Sequence, residues 1–157
     1  MTDVLVRVDD RLVHGQVVVG WGRALGLRHI VLVDDAIRAS PWEQDLYRMG
    51  VPSAVQIEFA SVADAATAFP RWAADAAHTI LLLGSVETLA RLCAVAPVRR
   101  VNLGGIHQQP GRREHLPYVF LTEAEADRLR ALDRAGVAIS AQDVPTRRAV
   151  PIEELLA

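Results

Sequence analysis

The chain has 157 residues, of which 51% are hydrophobic, with a net charge of −2 and one cysteine, Cys93. That composition supplies a sizeable core and argues against a disordered chain; the charge excludes a nonspecific nucleic-acid binder, and one cysteine excludes an internal disulfide and a cysteine metal cluster. All 17 basic residues are arginine, which excludes Schiff-base lysine chemistry and a P-loop lysine.

In chain order, Val4 to Val8 is a β-rich apolar run that reads as a buried first strand, and Gln16 to Leu25 reads as a helix stopped at Gly26. His29 to Val33 is a second strand. Ser40-Pro41-Trp42-Glu43 combines an N-cap, a proline at the first helical position and a capping-box acid, and opens a helix that ends at Gly50. Ala54 to Phe59 predicts a third strand, Ser61 to Ala77 a helix broken at Pro70, and Thr79 to Leu83 a central strand. A helix runs from Gly84-Ser85 to about Val95, and Arg99 to Leu103 is a fifth strand. Gly104 to Pro117 reads as a long irregular loop. Tyr118 to Leu121 is a short strand whose helix-free return suggests an antiparallel partner. Thr122-Glu123-Ala124-Glu125 is a capping box for a helix ending at Gly136. Val137 to Val144 is a last strand, and the tail from Pro145 to Ala157 reads as peripheral. This β/α alternation predicts an α/β fold: one domain over 1–157, with an open, mainly parallel sheet covered by helices on both faces.

No apolar run is long enough to span a membrane, and the N-terminus carries acidic residues instead of a basic flank and cleavage pattern. The chain therefore reads as cytoplasmic, without direct membrane insertion. No strand runs into a Gly-x-Gly-x-x-Gly turn, and no Walker A sequence is present.

The informative stretch is Arg7-Val8-Asp9-Asp10-Arg11-Leu12-Val13-His14-Gly15-Gln16-Val17. It places His14 at a strand-to-helix turn, on the sheet edge where α/β proteins bind ligands. A helix N-terminus there offers free N–H groups to an anion, and Arg11 offers a planar charged fork. A nucleophilic imidazole beside an anion site can carry a phosphoryl group on nitrogen. The bland reading stays open at this point: Asp9 and Asp10 as helix caps, Arg11 as their ion-pair partner, His14 as an ordinary loop histidine.

This stretch resembles the N-terminal signature of the IIB components of the mannose/fructose/sorbose family of the sugar phosphotransferase system. Valines 8 and 13 stand where that family usually has isoleucine. The resemblance continues more weakly through Val101-Asn102-Leu103-Gly104-Gly105 and the last helix. It implies about seven strands in one open twisted sheet. It also implies a phosphohistidine at His14, loaded at Nδ1 by a phosphorylated IIA protein and unloaded onto a sugar held by IIC and IID membrane components. No dissociable cofactor and no metal are implied. Arg11 would stabilise the phosphoryl oxygens and the amides of Gly15 and Gln16 would cradle them, with Asp10 or Asp9 fixing Arg11 or the imidazole. Arg7 projects from the strand to either side.

Gly84 and Ser85 follow another strand; Ser85 reads equally as an N-cap and as a contributor to the His14 site. His107 is the rival phosphoryl acceptor, since it follows Gly104-Gly105 at a further strand end. His107 and His115 flank Arg112-Arg113, a solvated loop or a docking surface. Two other functions remain open: a regulatory phosphohistidine protein that feeds no transporter, and a small-molecule binding module. The sugar and the oligomeric state, homo-oligomer included, are not encoded in these motifs.

Overall fold

A computed structural model describes residues 3–157, apart from the side chain of Gln16. Four apolar runs form adjacent parallel strands: β1 (Leu5–Val8), β2 (His29–Val33), β4 (Thr79–Leu83) and β5 (Arg100–Leu103). With β3 (Gln56–Ala60), β8 (Ala138–Ala141) and β9 (Val150–Pro151) they make a seven-stranded sheet in the order β3-β2-β4-β1-β5-β8-β9. Only β9 runs antiparallel, at one edge.

Side chains alternate across such a sheet, and two apolar clusters result. Val6, Val8, Leu81, Leu83, Val101 and Leu103 pack under α4 (Val62–Ala74), α5 (Val86–Val95) and α6 (Glu123–Arg134), through residues such as Phe69, Leu89 and Leu129. Leu5, Ile30, Leu32, Ile80 and Leu82 face the other way, against Val17 and Trp21 of the first helix and Ile37 of α2 (Asp35–Arg38). The first helix, expected as one α-helix over 16–25, is wound more widely: a π-helical turn, Gln16–Trp21, leads into α1 (Gly22–Leu25), which stops at left-handed Gly26. The sheet is thus an α/β sheet covered on both faces.

Several expected elements differ. Tyr118 to Leu121 does not join the sheet: β7 (Val119–Leu121) pairs with β6 (Arg113–Leu116) in a separate antiparallel ribbon, inside what reads in sequence as an irregular loop. The seventh strand comes instead from the tail. Val150, Ile152 and Leu155 enter the core, so β9 and α7 (Ile152–Leu155) are not peripheral. The α4 helix runs through Pro70 without a break. Pro70 and Ala66, whose carbonyl loses its helical bond, are both exposed residues, while Phe69 and Trp72 near them are buried and offset the cost. The helix α3 (Pro41–Met49) starts at Pro41 as expected, but Ser40 makes no side-chain cap bond.

Candidate functional site

The register fixes where the site lies. Val8 sits level with Leu83 and Leu103, so Asp9, Gly84 and Gly104 leave the sheet together at its carboxyl edge. The chain from β1 goes to the first helix on one face, whereas β4 and β5 on either side lead to α5 and α6 on the other. Such a switch point opens a crevice. Backbone bonds stitch its floor: Asp9 N–H to the Leu83 carbonyl (2.8 Å), Gly104 N–H to that of Val8 (2.7 Å) and Asp10 N–H to that of Gly105 (2.8 Å).

Asp9 is the centre. Wholly buried, it lies between three positive or protonatable groups. The Nε2 of His14 is 3.0 Å from its Oδ2; the Arg11 backbone N–H and Nε reach its Oδ1 at 3.0 and 3.3 Å; Arg7 Nη2 lies 3.4 Å from Oδ2. Burial alone would push the Asp9 carboxyl up, but the hydrogen bonds from His14 and Arg11 outweigh it and hold the group below its ordinary range. It is therefore a carboxylate at neutral pH, and it can only accept. The proton on the His14 ring then sits on Nε2, and Nδ1 carries the lone pair. Nδ1 has no protein partner among the described residues. His14 is 17% exposed, more enclosed than a loop histidine and still open on one side. Gly15 N-caps the π-helical turn with no side-chain bond, leaving the first backbone N–H groups of the turn to a ligand.

Arg7 does not reach the surface. It lies under the Trp21 ring, its guanidinium carbon 4.8 Å from the ring centre. Its Nη1 donates to Asn102 Oδ1 and to the Gln142 carbonyl (2.8 Å), and Nη2 to the Asp143 carbonyl (3.0 Å). The Trp21 indole N–H also donates to the Asp143 carbonyl, at 3.1 Å. Gly104 makes room, because a Cβ there would fall on the Arg7 guanidinium. Arg7 thus supports the site from beneath, through Asp9. Arg11 is 39% exposed and lies at the mouth.

Asp10 holds His107, with its two oxygens on the His107 backbone N–H (2.8 Å) and ring Nδ1 (2.5 Å). Ser85 is not brought to His14: its hydroxyl caps α5 and donates to Thr88 Oγ1 at 3.0 Å. Gly84 backs onto Leu12, the one described non-glycine residue with positive φ, 58°. Arg112 is not solvated either: it is paired with Glu125, whereas Arg113 is exposed. Cys93 is half-buried against the core, and burial pushes its thiol up to about 11, so it offers no thiolate near neutral pH. Among the described residues, no three His, Cys, Asp or Glu side chains converge as a metal set.

Sequence reasoning missed Asn102, Gln142 and Asp143. Asn102 carries a signal in retrospect. It is a polar residue in a buried strand, level with Arg7 in the next one, and two such residues at one height are partners.

The whole described chain, residues 3–157, matches the family model for the sorbose subfamily IIB component of the phosphotransferase system. The chain is 29% identical over 154 residues to the N-acetylgalactosamine-specific phosphotransferase enzyme IIB component 2 of Escherichia coli, covering 98% of each. It is 30% identical over 149 residues to the fructose-specific EIIB component of Bacillus subtilis, covering 93% of this chain and 90% of that protein. The crystal structure of the N-acetylgalactosamine-specific IIB component 1 from Escherichia coli superposes with a TM-score of 0.86 at 26% identity, over 94% of this chain and 97% of that one.

Proposed function

The chain belongs to the sorbose-subfamily IIB components of the sugar phosphotransferase system, and we propose that it carries a phosphoryl group on His14 Nδ1 between a phosphorylated IIA protein and a sugar held by IIC and IID membrane components. The observation that carries this reading is the 3.0 Å contact of His14 Nε2 with buried Asp9. It leaves the Nδ1 lone pair open for attack on phosphorus.

When Nδ1 bonds to phosphorus and the donor nitrogen leaves, the ring becomes a cation with its proton still on Nε2. The Asp9 carboxylate, held ionised, stabilises that cation. The reverse follows on unloading: the sugar hydroxyl forms the O–P bond, the N–P bond electrons return to Nδ1, and the hydroxyl proton leaves to solvent or a base. Phosphoryl transfer needs positioning and charge stabilisation above all. Arg11 at the mouth and the free N–H groups near Gly15 and Gln16 supply them, while Arg7 anchors Asp9 from below. A partner protein must press on the rim. Beside Val13 that rim is apolar, with Trp42, Leu46 and Met49 exposed along α3. Among the described residues no helix is long and apolar enough to cross a membrane, which fits a cytoplasmic carrier.

Incubation with phosphoenolpyruvate, the general phosphotransfer proteins and the IIA protein, read by intact mass, tests the site. Wild type gains one acid-labile, base-stable phosphoryl group; His14→Ala stays folded and gains none; His107→Ala is still labelled. Label retained in His14→Ala and lost in His107→Ala overturns the assignment.

A further inference from the structure

His107 takes no part in the transfer as described, yet it is held at three points. Both oxygens of Asp10 bind it, one at the backbone N–H and one at ring Nδ1. Its carbonyl accepts from Arg112 Nη1 at 2.8 Å. Arg112 is itself fixed by two contacts to Glu125, at 3.1 and 3.0 Å, the acid of the capping box that opens α6. The ring is nevertheless 54% exposed, and its Nε2 has no protein partner among the described residues. Fixing an exposed ring costs rotamer freedom that solvation does not return.

Gly105 shows what the ring faces. A Cβ at that position would lie 3.1 Å from Arg11 Nη2, 3.1 Å from Asp9 Oδ1 and 3.2 Å from His107 Cε1. One small volume therefore touches the guanidinium at the mouth, the carboxylate that holds His14, and the ring carbon bonded to Nε2 of His107. The backbone carries no side chain where these three groups meet.

We propose that His107 is the second imidazole of the phosphoryl site, donating from Nε2 to an oxygen of the phosphoryl group on His14, on the flank beside Arg11. This rests on the phosphocarrier reading of His14. Asp10 accepts the Nδ1 proton, so Nε2 donates only when His107 is protonated. The charged groups around the ring are Asp10, on its Nδ1 side; Arg11 and Asp9, across Gly105; and Arg112, paired with Glu125. The phosphoryl dianion on His14 is the acceptor for the Nε2 proton.

The test uses the full chain and phosphorylated IIA, measuring the equilibrium of transfer and the ³¹P resonance of the phosphoimidazole. In His107→Ala the label stays on His14, but the equilibrium moves toward phospho-IIA by about tenfold or more, the scale of a lost charge-assisted hydrogen bond, and the ³¹P line is displaced. His107→Gln, whose amide can donate from a similar place, restores most of the loss. His115→Ala leaves both readouts unchanged. A His107→Ala equilibrium within twofold of wild type with an unmoved ³¹P line overturns this proposal alone. His107→Gln as deficient as His107→Ala overturns the donor role. Wild type that takes no label overturns the phosphocarrier reading and this proposal with it.

Discussion

At Asp9 one buried carboxylate serves Arg7, Arg11 and His14 at once. Asp9→Asn keeps the shape and removes the charge. Arg7 is then a buried cation without its counter-ion, a change worth about 3 kcal/mol of stability. The amide of the new residue would present a donor to His14 Nε2, moving the ring proton to Nδ1 and blocking attack. Transfer from phospho-IIA, followed by quench flow, should fall on the order of 10⁴-fold, as for a wrong-tautomer defect; wild-type transfer in a folded Asp9→Asn would show that the tautomer is set elsewhere. The sign of the pH effect follows from the lowered Asp9 pKa. A depressed folded value gives stability that is present above the unfolded pKa, near ~3.9, and lost as pH falls through the folded one. Urea midpoints should therefore drop in wild type below about pH 4, and drop less in Asp9→Asn. In the proposed transfer Arg11 acts later, on the transferring group. Arg11→Ala should slow transfer by about 3 kcal/mol of barrier, with Arg11→Lys intermediate because a fork becomes a point charge. Its partial exposure predicts little change in stability.

The carboxyl end of β5 separates support from chemistry within two residues. A methyl at Gly104 would fall on the buried Arg7 guanidinium, whereas one at Gly105 presses on Arg11, Asp9 and His107 side chains at the mouth. Gly104→Ala should cost about 1–3 kcal/mol in chemical denaturation, as overpacking does. Gly105→Ala should slow transfer with a smaller loss of stability; equal stability losses in the two variants would contradict the division. This edge also marks how much could be read in advance. The strands β1, β2 and β4 are legible because burial on both faces forces continuous apolar runs. His14, Arg11 and Gly15 are legible as a strand–turn–helix motif with charged groups. Asp9 was one of two adjacent acids, and nothing local distinguishes the one that meets His14 from the one that meets His107; the register of β1 against β5 decides it. The strand β7 was legible together with its antiparallel sense, whereas its partner β6 and the edge strand β9 stayed hidden, because such short strands are defined by their partners, not by their own period. The π-helical turn at Gln16–Trp21 has no separate sequence signal, since its register is set by seating Trp21 over Arg7.

On the scale of the whole molecule, the tail closes the side of the sheet that grips the site. β9 pairs antiparallel with β8, Ser140 against Pro151 and Ala141 against Val150. The segment between them includes Gln142 and Asp143, whose carbonyls hold Arg7 and, for Asp143, the Trp21 indole. Gln142 is tied in turn, its amide donating to the carbonyls of Pro145 and Arg147. Ile152 and Leu155 are buried with Ile139 and Ala141 in the larger cluster, and the Leu155 carbonyl lies 3.3 Å from His115 Nδ1. Leu155→Ala should therefore cost about 2–5 kcal/mol, the range for a buried leucine, although the sequence there reads as an exposed end. Removal of residues 150–157 should do more than lower the urea midpoint. It frees the segment that supplies two of the acceptors for Arg7, so Asp9 and with it His14 lose their fixed position. The truncated chain, assayed where circular dichroism still shows it folded, should transfer phosphoryl more slowly than wild type, whereas Leu155→Ala, which leaves β9 paired, should be near normal under the same conditions. A folded truncation with the wild-type transfer rate would mean that Arg7 and Asp9 are positioned by β1 and β5 alone.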